Sequence, residues 1–475
     1  MDDTICAIAT PCGEGGIGIV RLSGPRSVPV ASRIVRLRSG RPLSDAPSFR
    51  LQVAEFFDPS VADRDRASAQ SPPALLDEGL VVVMRAPHSY TREDVVELHC
   101  HGGALILTRL CAGLLHAGAR LAQPGEFTKR AFLNGRLDLT QAEAVLDTIH
   151  AKTDAALRQA QDQLRGTLAM QTNALRSEIL ALLAHVEAGI DFVEEDLRFI
   201  DREELGKAIR GACTQIERWL STAERGRIVR EGLQTVIVGR PNVGKSSLLN
   251  ALIQRDRAIV TPIPGTTRDV LEEFVNMDGI PLRLLDTAGI RDTTDPVELE
   301  GVRRSRDAVE QAELIFHVLD ASQPLSAEDE ALLLSSRGRP CLILRNKIDL
   351  SPGHSEQDLR EMLVSRHIQP AAVVNLSAIT GQGLDRLREA VRSWCGSPSQ
   401  EPSEAAAVTR LRHAEALGRA RTSLQQVISS IEADQPAECV AMDLRVAADA
   451  LGELTGAITT EDVLNRIFSE FCIGK

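Results

Sequence analysis

The chain has 475 residues, a formal net charge of −12, 43% hydrophobic and 25% charged residues, a composition ordinary for globular protein and long enough for roughly three domains. The acidic balance disfavours attachment of the whole surface to nucleic acid or anionic membrane, so any RNA contact is expected at a local basic patch. Nine cysteines without regular spacing, an opening Met1-Asp2-Asp3-Thr4 with no basic-then-apolar leader, and no apolar run of the ~18 residues a membrane span needs predict a reduced, cytoplasmic protein with no membrane partner.

Residues 1–136 mix β-like runs (Ile5 to Thr10, Ile17 to Leu22, Gly79 to Met84, Val95 to His99) with helical Ala104 to Ala117, the pattern of an α+β domain. Gly13-Glu14-Gly15-Gly16-Ile17-Gly18 matches G-x-G-x-x-G, but a β-like run follows where a dinucleotide fingerprint needs a helix, which argues against that reading. His99-Cys100-His101 invites a metal site. Adjacent strand residues point to opposite faces and no second Cys/His pair stands at zinc spacing, so a structural role is expected. Residues from Asp58 to Pro73, poor in large apolar side chains, read as a mobile loop.

After Asn134-Gly135-Arg136-Leu137-Asp138 the composition shifts to Ala, Leu, Gln and Glu. Thr140-Gln141-Ala142-Glu143 reads as a capping box, and residues 137–231 as packed helices. From residue 232 to 397 strand and helix alternate, with strands expected near Val236, Leu282 to Leu285, Leu314 to Leu319, Leu342 to Leu344 and Val373 to Leu376, as in a doubly wound sheet. A linker-like stretch from Gly396 to Glu404 follows, and residues 398–475 turn helical again. The expected fold class is therefore multidomain α/β and α+β, with a P-loop doubly wound sheet inserted in an all-α helical domain and preceded by an α+β domain.

The stretch Gly239-Arg240-Pro241-Asn242-Val243-Gly244-Lys245-Ser246-Ser247 matches G-x-x-x-x-G-K-[ST] and stands between a β-branched run and a helical one. Its backbone N–H groups can turn onto phosphate oxygens at a helix N-terminus, Lys245 adds a point charge, and Ser246 can ligate Mg²⁺. Asn242, Val243, Gly244, Lys245, Ser246 and Ser247 are thus candidate nucleotide contacts.

Downstream motifs narrow the ligand. In Asp286-Thr287-Ala288-Gly289 the carboxylate can hold Mg²⁺ through water and the glycine N–H can sense a γ-phosphate. Asp349 of Asn346-Lys347-Ile348-Asp349 can accept two hydrogen bonds from guanine, which adenine cannot donate, and Ser377-Ala378 can close over the base. The loop Thr261-Pro262-Ile263-Pro264-Gly265-Thr266-Thr267 supplies a hydroxyl, that of Thr267, as a second candidate Mg²⁺ ligand. The substrate is predicted to be GTP.

Ile290 stands where a water-orienting glutamine often follows Asp-x-x-Gly, and it can do no acid–base chemistry. Glu298, in an acidic segment, is the favoured substitute. Asn242 is either a monovalent-cation ligand replacing an arginine finger's charge or a turn residue after Pro241.

Over its full length the chain resembles the bacterial tRNA-modifying GTPases of the MnmE (TrmE) family. Ala9-Thr10-Pro11 with Gly15-Gly16-Ile17-Gly18-Ile19, Pro124-Gly125-Glu126-Phe127-Thr128, Gly265-Thr266-Thr267-Arg268-Asp269 and Phe471-Cys472-Ile473-Gly474-Lys475 carry the resemblance. It implies a homodimer through a folate-binding-like N-terminal domain holding a 5-formyltetrahydrofolate-type one-carbon donor at Arg21, Glu97, Arg136 and Lys475. Arg136 stands where some relatives carry lysine, which keeps the charge and changes the geometry. The resemblance also implies K⁺ at Asn242, Thr261, the Ile263 carbonyl and Thr266, with Glu298 orienting the water. It further implies a flavin- and NADH-dependent partner of the MnmG family in a heterotetramer, and tRNA as substrate. An aminomethyl or carboxymethylaminomethyl group would be added to C5 of the wobble uridine, position 34. Cys472 is then either a nucleophile toward the uracil ring or a residue that packs or binds beside the folate. From the nucleotide motifs alone, a GTP-dependent RNA or ribosome assembly switch without folate chemistry is the alternative.

Overall fold

The computed structural model describes residues 2–11, 13–58, 74–191, 201–256, 273–285, 309–396 and 408–475. The described residues form two compact units, one of residues up to 146 together with 452–475, the other of residues 147–451.

In the first unit the strands are β1 Ile5–Ile8, β2 Gly15–Ser23, β3 Val35–Leu37, β4 Gln52–Phe57, β5 Leu75–Met84, β6 Val95–Gly102 and β7 Arg120–Leu121, in the sheet order β3-β4-β5-β6-β2-β1-β7. All pairs are antiparallel except β1 with β7. Val20, Leu22, Val81, Val83, Val96 and Leu98 face a core closed by Leu107, Leu110 and Leu114 of the helix Ala104–His116. Period-two alternation sends Arg21, Glu97 and His99 to the opposite face of the sheet. The strand that follows Gly13 and Gly15 leaves no helix for a dinucleotide fingerprint, as expected. The strands β3, β4 and β7 went unforeseen, and the loop expected from Asp58 to Pro73 lies outside the described residues beyond Asp58.

The helices Glu126–Leu133, Leu139–His150 and Glu461–Ser469 share a cluster of Leu139, Ala142, Leu146, Leu464, Ile467, Phe468 and Phe471. This cluster brings the C-terminal tail back to β1. Gly474, at φ 98°, lies so close that an added Cβ would sit 2.3 Å from the Ile8 carbonyl oxygen, so only glycine fits there. One expectation shifts: the capping box sits at Asp138 and Gln141, whose side chains exchange hydrogen bonds of 3.0 Å with each other's backbone N–H. Asp138 also accepts the Thr140 hydroxyl at 2.6 Å, so Thr140 is already helical and cannot cap.

In the second unit the helices Asp154–Leu164, Thr167–Asp191, Arg202–Leu220, Ala223–Glu231 and Leu411–Glu432 accompany a six-stranded sheet. Its strands are β8 Leu233–Val238, β9 Glu273–Met277, β10 Ile280–Leu285, β11 Leu314–Asp320, β12 Cys341–Asn346 and β13 Ala372–Asn375, in the order β13-β12-β11-β8-β10-β9. Only β9 runs antiparallel. Every residue of β11 and β12 is buried, as expected of central parallel strands covered on both faces. The order reverses at β8 and β11, and at that switch point the carboxyl ends of the strands form the crevice where open α/β sheets bind ligands. Arg227 ties the helix Ala223–Glu231 to Glu313, whose other oxygen accepts the Gln234 N–H at 3.0 Å and so fixes the start of β8. Among the described residues no helix is long and apolar enough to cross a membrane.

Candidate functional site

The phosphate loop leaves β8 and enters the helix Lys245–Asp256. Val243 is buried in the sheet core and anchors the loop from below, while Asn242 and Ser247 are exposed and Ser246 half-buried. Asn242 takes a left-handed backbone, φ 62°, without being glycine. Gly244, φ 99°, has no room for a side chain, since a Cβ would meet Asn346 Nδ2 at 2.2 Å. The Lys245 ammonium donates to the carbonyl oxygens of Gly239 and Arg240, both at 2.8 Å, within reach of the loop it would serve.

Asn346 joins the two halves of the site. Its Nδ2 donates to the Val243 carbonyl at 2.8 Å, and its Oδ1 accepts the Ala378 N–H at 2.9 Å. The phosphate loop, the end of β12 and the Ser377-Ala378 loop are thereby held together. Ser377 is buried and its hydroxyl accepts the Thr380 N–H at 3.2 Å, while Asp349 is exposed.

Lys347 donates to the Asn242 carbonyl at 2.7 Å and to Asp320 Oδ2 at 2.6 Å. Asp320 ends β11 and is buried. Burial pushes its carboxyl up, but Lys347 and the Ser322 hydroxyl and amide outweigh that and hold it below the usual carboxylate range. Arg240 Nε donates to the buried Asp329 at 2.7 Å, itself part of the capping box that starts the helix Ala327–Ser335. Sequence reasoning missed Asp320 and Asp329. The only signal was a carboxylate directly ending an apolar run, and an Asp three residues after Ser326. Thr261, Pro262, Ile263, Pro264, Gly265, Thr266, Thr267, Asp286, Thr287, Ala288, Gly289, Ile290 and Glu298 lie outside the described residues.

A second polar cluster lies in the first unit, on the sheet face away from the helix Ala104–His116. Arg21 Nε donates to Glu97 Oε1 at 2.8 Å, and an Arg21 terminal nitrogen donates to the Gly474 carbonyl at 3.3 Å. The guanidinium groups of Arg21 and Arg136 stand 5.9 and 5.0 Å from the Tyr90 ring centre, and Arg21 stands 5.7 Å from that of Phe127. Arg136 also donates to the Ser89 carbonyl at 3.1 Å. Burial and the nearby Arg21 lower the Lys475 ammonium below the usual lysine range, more than Glu97 and Cys472 raise it. The structure thus brings Arg21, Glu97 and Lys475 together and sets Arg136 on the same aromatic ring as Arg21. Burial raises the Tyr90 phenol, and its hydroxyl bonds Thr128 at 2.9 Å. Cys472 is exposed, and its carbonyl accepts the Lys475 N–H at 3.3 Å. Cys100, between His99 and His101, turns to the opposite face and donates to the Gly18 carbonyl at 3.4 Å, while His101 pairs with Asp77 at 2.9 Å.

Residues 4–136 match the family described as the GTP-binding protein TrmE N-terminus, and residues 139–472 match the MnmE helical domain. The chain belongs to the MnmE family of tRNA modification GTPases. The tRNA modification GTPase MnmE of Symbiobacterium thermophilum is 49% identical over 475 residues, all of both chains. That of Bacillus subtilis is 45% identical over 474 residues, and that of Clostridioides difficile 43% over 475, again covering all of each. The family agrees with the paired loops above: a P-loop GTPase sheet set within a helical domain, after an α+β N-terminal domain. The fold expected from the residues is the fold found, and the chain is a GTP hydrolase of tRNA modification.

Proposed function

We propose that this chain uses GTP hydrolysis to drive addition of an aminomethyl or carboxymethylaminomethyl group to C5 of the wobble uridine of certain tRNAs. It does so in the cytoplasm as a homodimer, in a heterotetramer with a flavin- and NADH-dependent partner of the MnmG family. Its segments are an N-terminal folate and dimerisation domain (1–136), a GTPase domain (232–397) and a helical domain in two parts (137–231 and 398–475). The observation that carries the reading is the convergence of Arg21, Glu97, Lys475 and the Arg136–Tyr90 pair in a chain that also has the guanine-nucleotide loops.

The nucleotide loop suits GTP, because it runs into the N-terminus of the helix Lys245–Asp256 and the Lys245 ammonium is held on the loop's own carbonyls of Gly239 and Arg240. Hydrolysis breaks the bond between the γ-phosphorus and the bridging oxygen as an in-line water attacks, giving GDP and inorganic phosphate. Lys245 offsets charge on the outer phosphates, and Glu298 orients the water. Ser246 and Thr267 would hold Mg²⁺, and Asn242, Thr261, Thr266 and the Ile263 carbonyl would hold K⁺, both supplying positive charge against the transition state. Asp286 would hold the metal through water and the Gly289 N–H would meet the γ-phosphate, and Asp349 selects guanine.

In the first unit the donor set suits a 5-formyltetrahydrofolate-type molecule, whose chemistry is transfer of a one-carbon unit. The cations Arg21, Arg136 and Lys475 match its glutamate carboxylates, and the ionised Glu97 matches hydrogen-bond donors on its pterin ring. Cys472→Ser tests the exposed thiol: modification lost with folate binding kept supports a nucleophile, and modification kept supports a packing role.

Nucleoside analysis of tRNA from cells lacking this gene tests the whole reading. Loss of the C5 group at position 34 is expected, and an unchanged nucleoside profile would overturn it. The nucleotide loops alone also fit a GTP-dependent RNA or ribosome assembly switch. Calorimetric titration with 5-formyltetrahydrofolate separates the two, because the switch binds none at millimolar ligand.

A further inference from the structure

The Glu97 carboxylate is approached on both oxygens. Arg21 Nε donates to Oε1 at 2.8 Å, and His99 Nε2 lies 3.3 Å from Oε2. Glu97 and His99 alternate along β6 with the buried Leu98 and Cys100, so both project from the sheet face opposite the core. The strand register sets Arg21 across from Glu97, and Ile19 and Leu80 across from His99 on its two sides. The imidazole is therefore flanked by apolar side chains across the strands, with the carboxylate its neighbour along the strand. Both side chains are largely covered, at 21% exposure for His99 and 15% for Glu97.

The last torsion of a glutamate is broad and two-fold, so one partner at Oε1 leaves the carboxylate plane free to rock. A second donor at Oε2 fixes it. We propose that His99 is a positioning residue of this pocket: its Nε2–H, donated to Oε2, sets the plane of Glu97 so that the remaining lone pairs meet the amino and ring N–H donors of a bound pterin. This rests on the reading that Glu97 faces a folate. Burial raises the Glu97 carboxyl, but His99 and Arg21 together more than offset it, which keeps the group ionised and acceptor-only. The neighbouring residues serve other ends. The Cys100 thiol, on the core face, donates to the carbonyl of Gly18 on the neighbouring strand, and His101 is taken by Asp77.

The experiment is calorimetric titration of the full-length protein with 5-formyltetrahydrofolate, comparing wild type with His99→Ala and His99→Gln, with GTP turnover and urea unfolding measured alongside. A glutamine amide nitrogen reaches about where Nε2 lies, so it keeps the donor. His99→Ala is expected to weaken folate binding about tenfold, the loss typical of a hydrogen bond to a charged group, with GTP turnover unchanged. His99→Gln is expected to stay within about twofold of wild type, since its amide can donate the same bond. Wild-type affinity in His99→Ala, or a His99→Gln as weak as His99→Ala, would overturn the positioning role. A folded His99→Ala that loses stability in urea but not affinity would mark the residue as structural only. A wild type that binds no folate fails differently, and removes the folate reading and this role with it.

Discussion

Lys347, just past the end of β12, reaches the phosphate loop, its Nζ donating to the backbone carbonyl of Asn242 at 2.7 Å. The same ammonium is paired with Asp320 at 2.6 Å, so the buried carboxylate acts on the phosphate loop at one remove. Asp320→Asn keeps an acceptor for Ser322 and removes the charge that draws Lys347 down. Nucleotide affinity should fall about tenfold, ~1.4 kcal/mol, in a fluorescent-GDP titration. An unchanged Kd would show that Lys347 holds its place without the ion pair.

Asn242 has its carbonyl engaged while its side chain stands exposed on a left-handed backbone. Replacing K⁺ with Na⁺ is expected to lower GTP turnover about tenfold or more if a fitted cation stands in for an arginine finger. In Asn242→Ala the two salts should give equally slow rates. A wild type indifferent to the salt would return Asn242 to a turn residue.

Glu298→Ala separates binding from chemistry. A residue that only orients the attacking water should leave GTP affinity near wild type and slow single-turnover hydrolysis by roughly a hundredfold. Weakened binding with normal turnover would assign Glu298 to the ligand's ground state.

His317 lies buried in β11 against the Ser336 hydroxyl, and burial pushes its imidazole down to about 4. A histidine lowered on folding binds its proton more readily in the unfolded chain. Stability is therefore unaffected above the unfolded value near 6.5 and falls as pH drops from there toward 4. The loss by pH 4 is roughly 3 kcal/mol from this group alone. Urea midpoints for wild type and His317→Phe between pH 7 and 4.5 check it. The two slopes should differ, and parallel curves would exclude His317 as the source.

Gly474→Ala tests the tail. A Cβ would sit 2.3 Å from the Ile8 oxygen on a residue already at φ 98°, so the last two residues must move while the cluster around Phe468 and Phe471 stays. Folate affinity should drop about tenfold with unchanged GTP turnover. Retained affinity would show that Lys475 has little share in the site.

The nucleotide fold was legible because its signals are local. The P-loop glycines, the Asn-Lys-x-Asp run and fully apolar strands such as β11 and β12 each carry their meaning within a few residues. The edge strands β3, β7 and β9, and β4 beside β3, were not, because half-exposed strands mix polar with apolar residues and draw their stability from neighbours. The capping box was placed two residues late because Asp138 and Thr140 are both good caps, and only the hydrogen bonds decide between them. The folate candidates stand at positions 21, 97, 136 and 475, a spacing without a period, so only the family resemblance joined them. His99 was expected to be structural because adjacent strand residues face opposite ways and no second Cys/His pair stands at zinc spacing; its neighbour Glu97 Oε2, two residues away on the same face, was not weighed.

The side-chain amide of Asn346 gives up its donor to Val243 and its acceptor to Ala378, and these two ends cannot be exchanged without setting like against like. The phosphate loop and the Ser377-Ala378 loop consequently share one pivot. Asn346→Ala is therefore expected to loosen the loop at Val243 and the loop at Ala378 together, and a fluorescent-GDP chase that released no faster than wild type would show that the amide does not couple them.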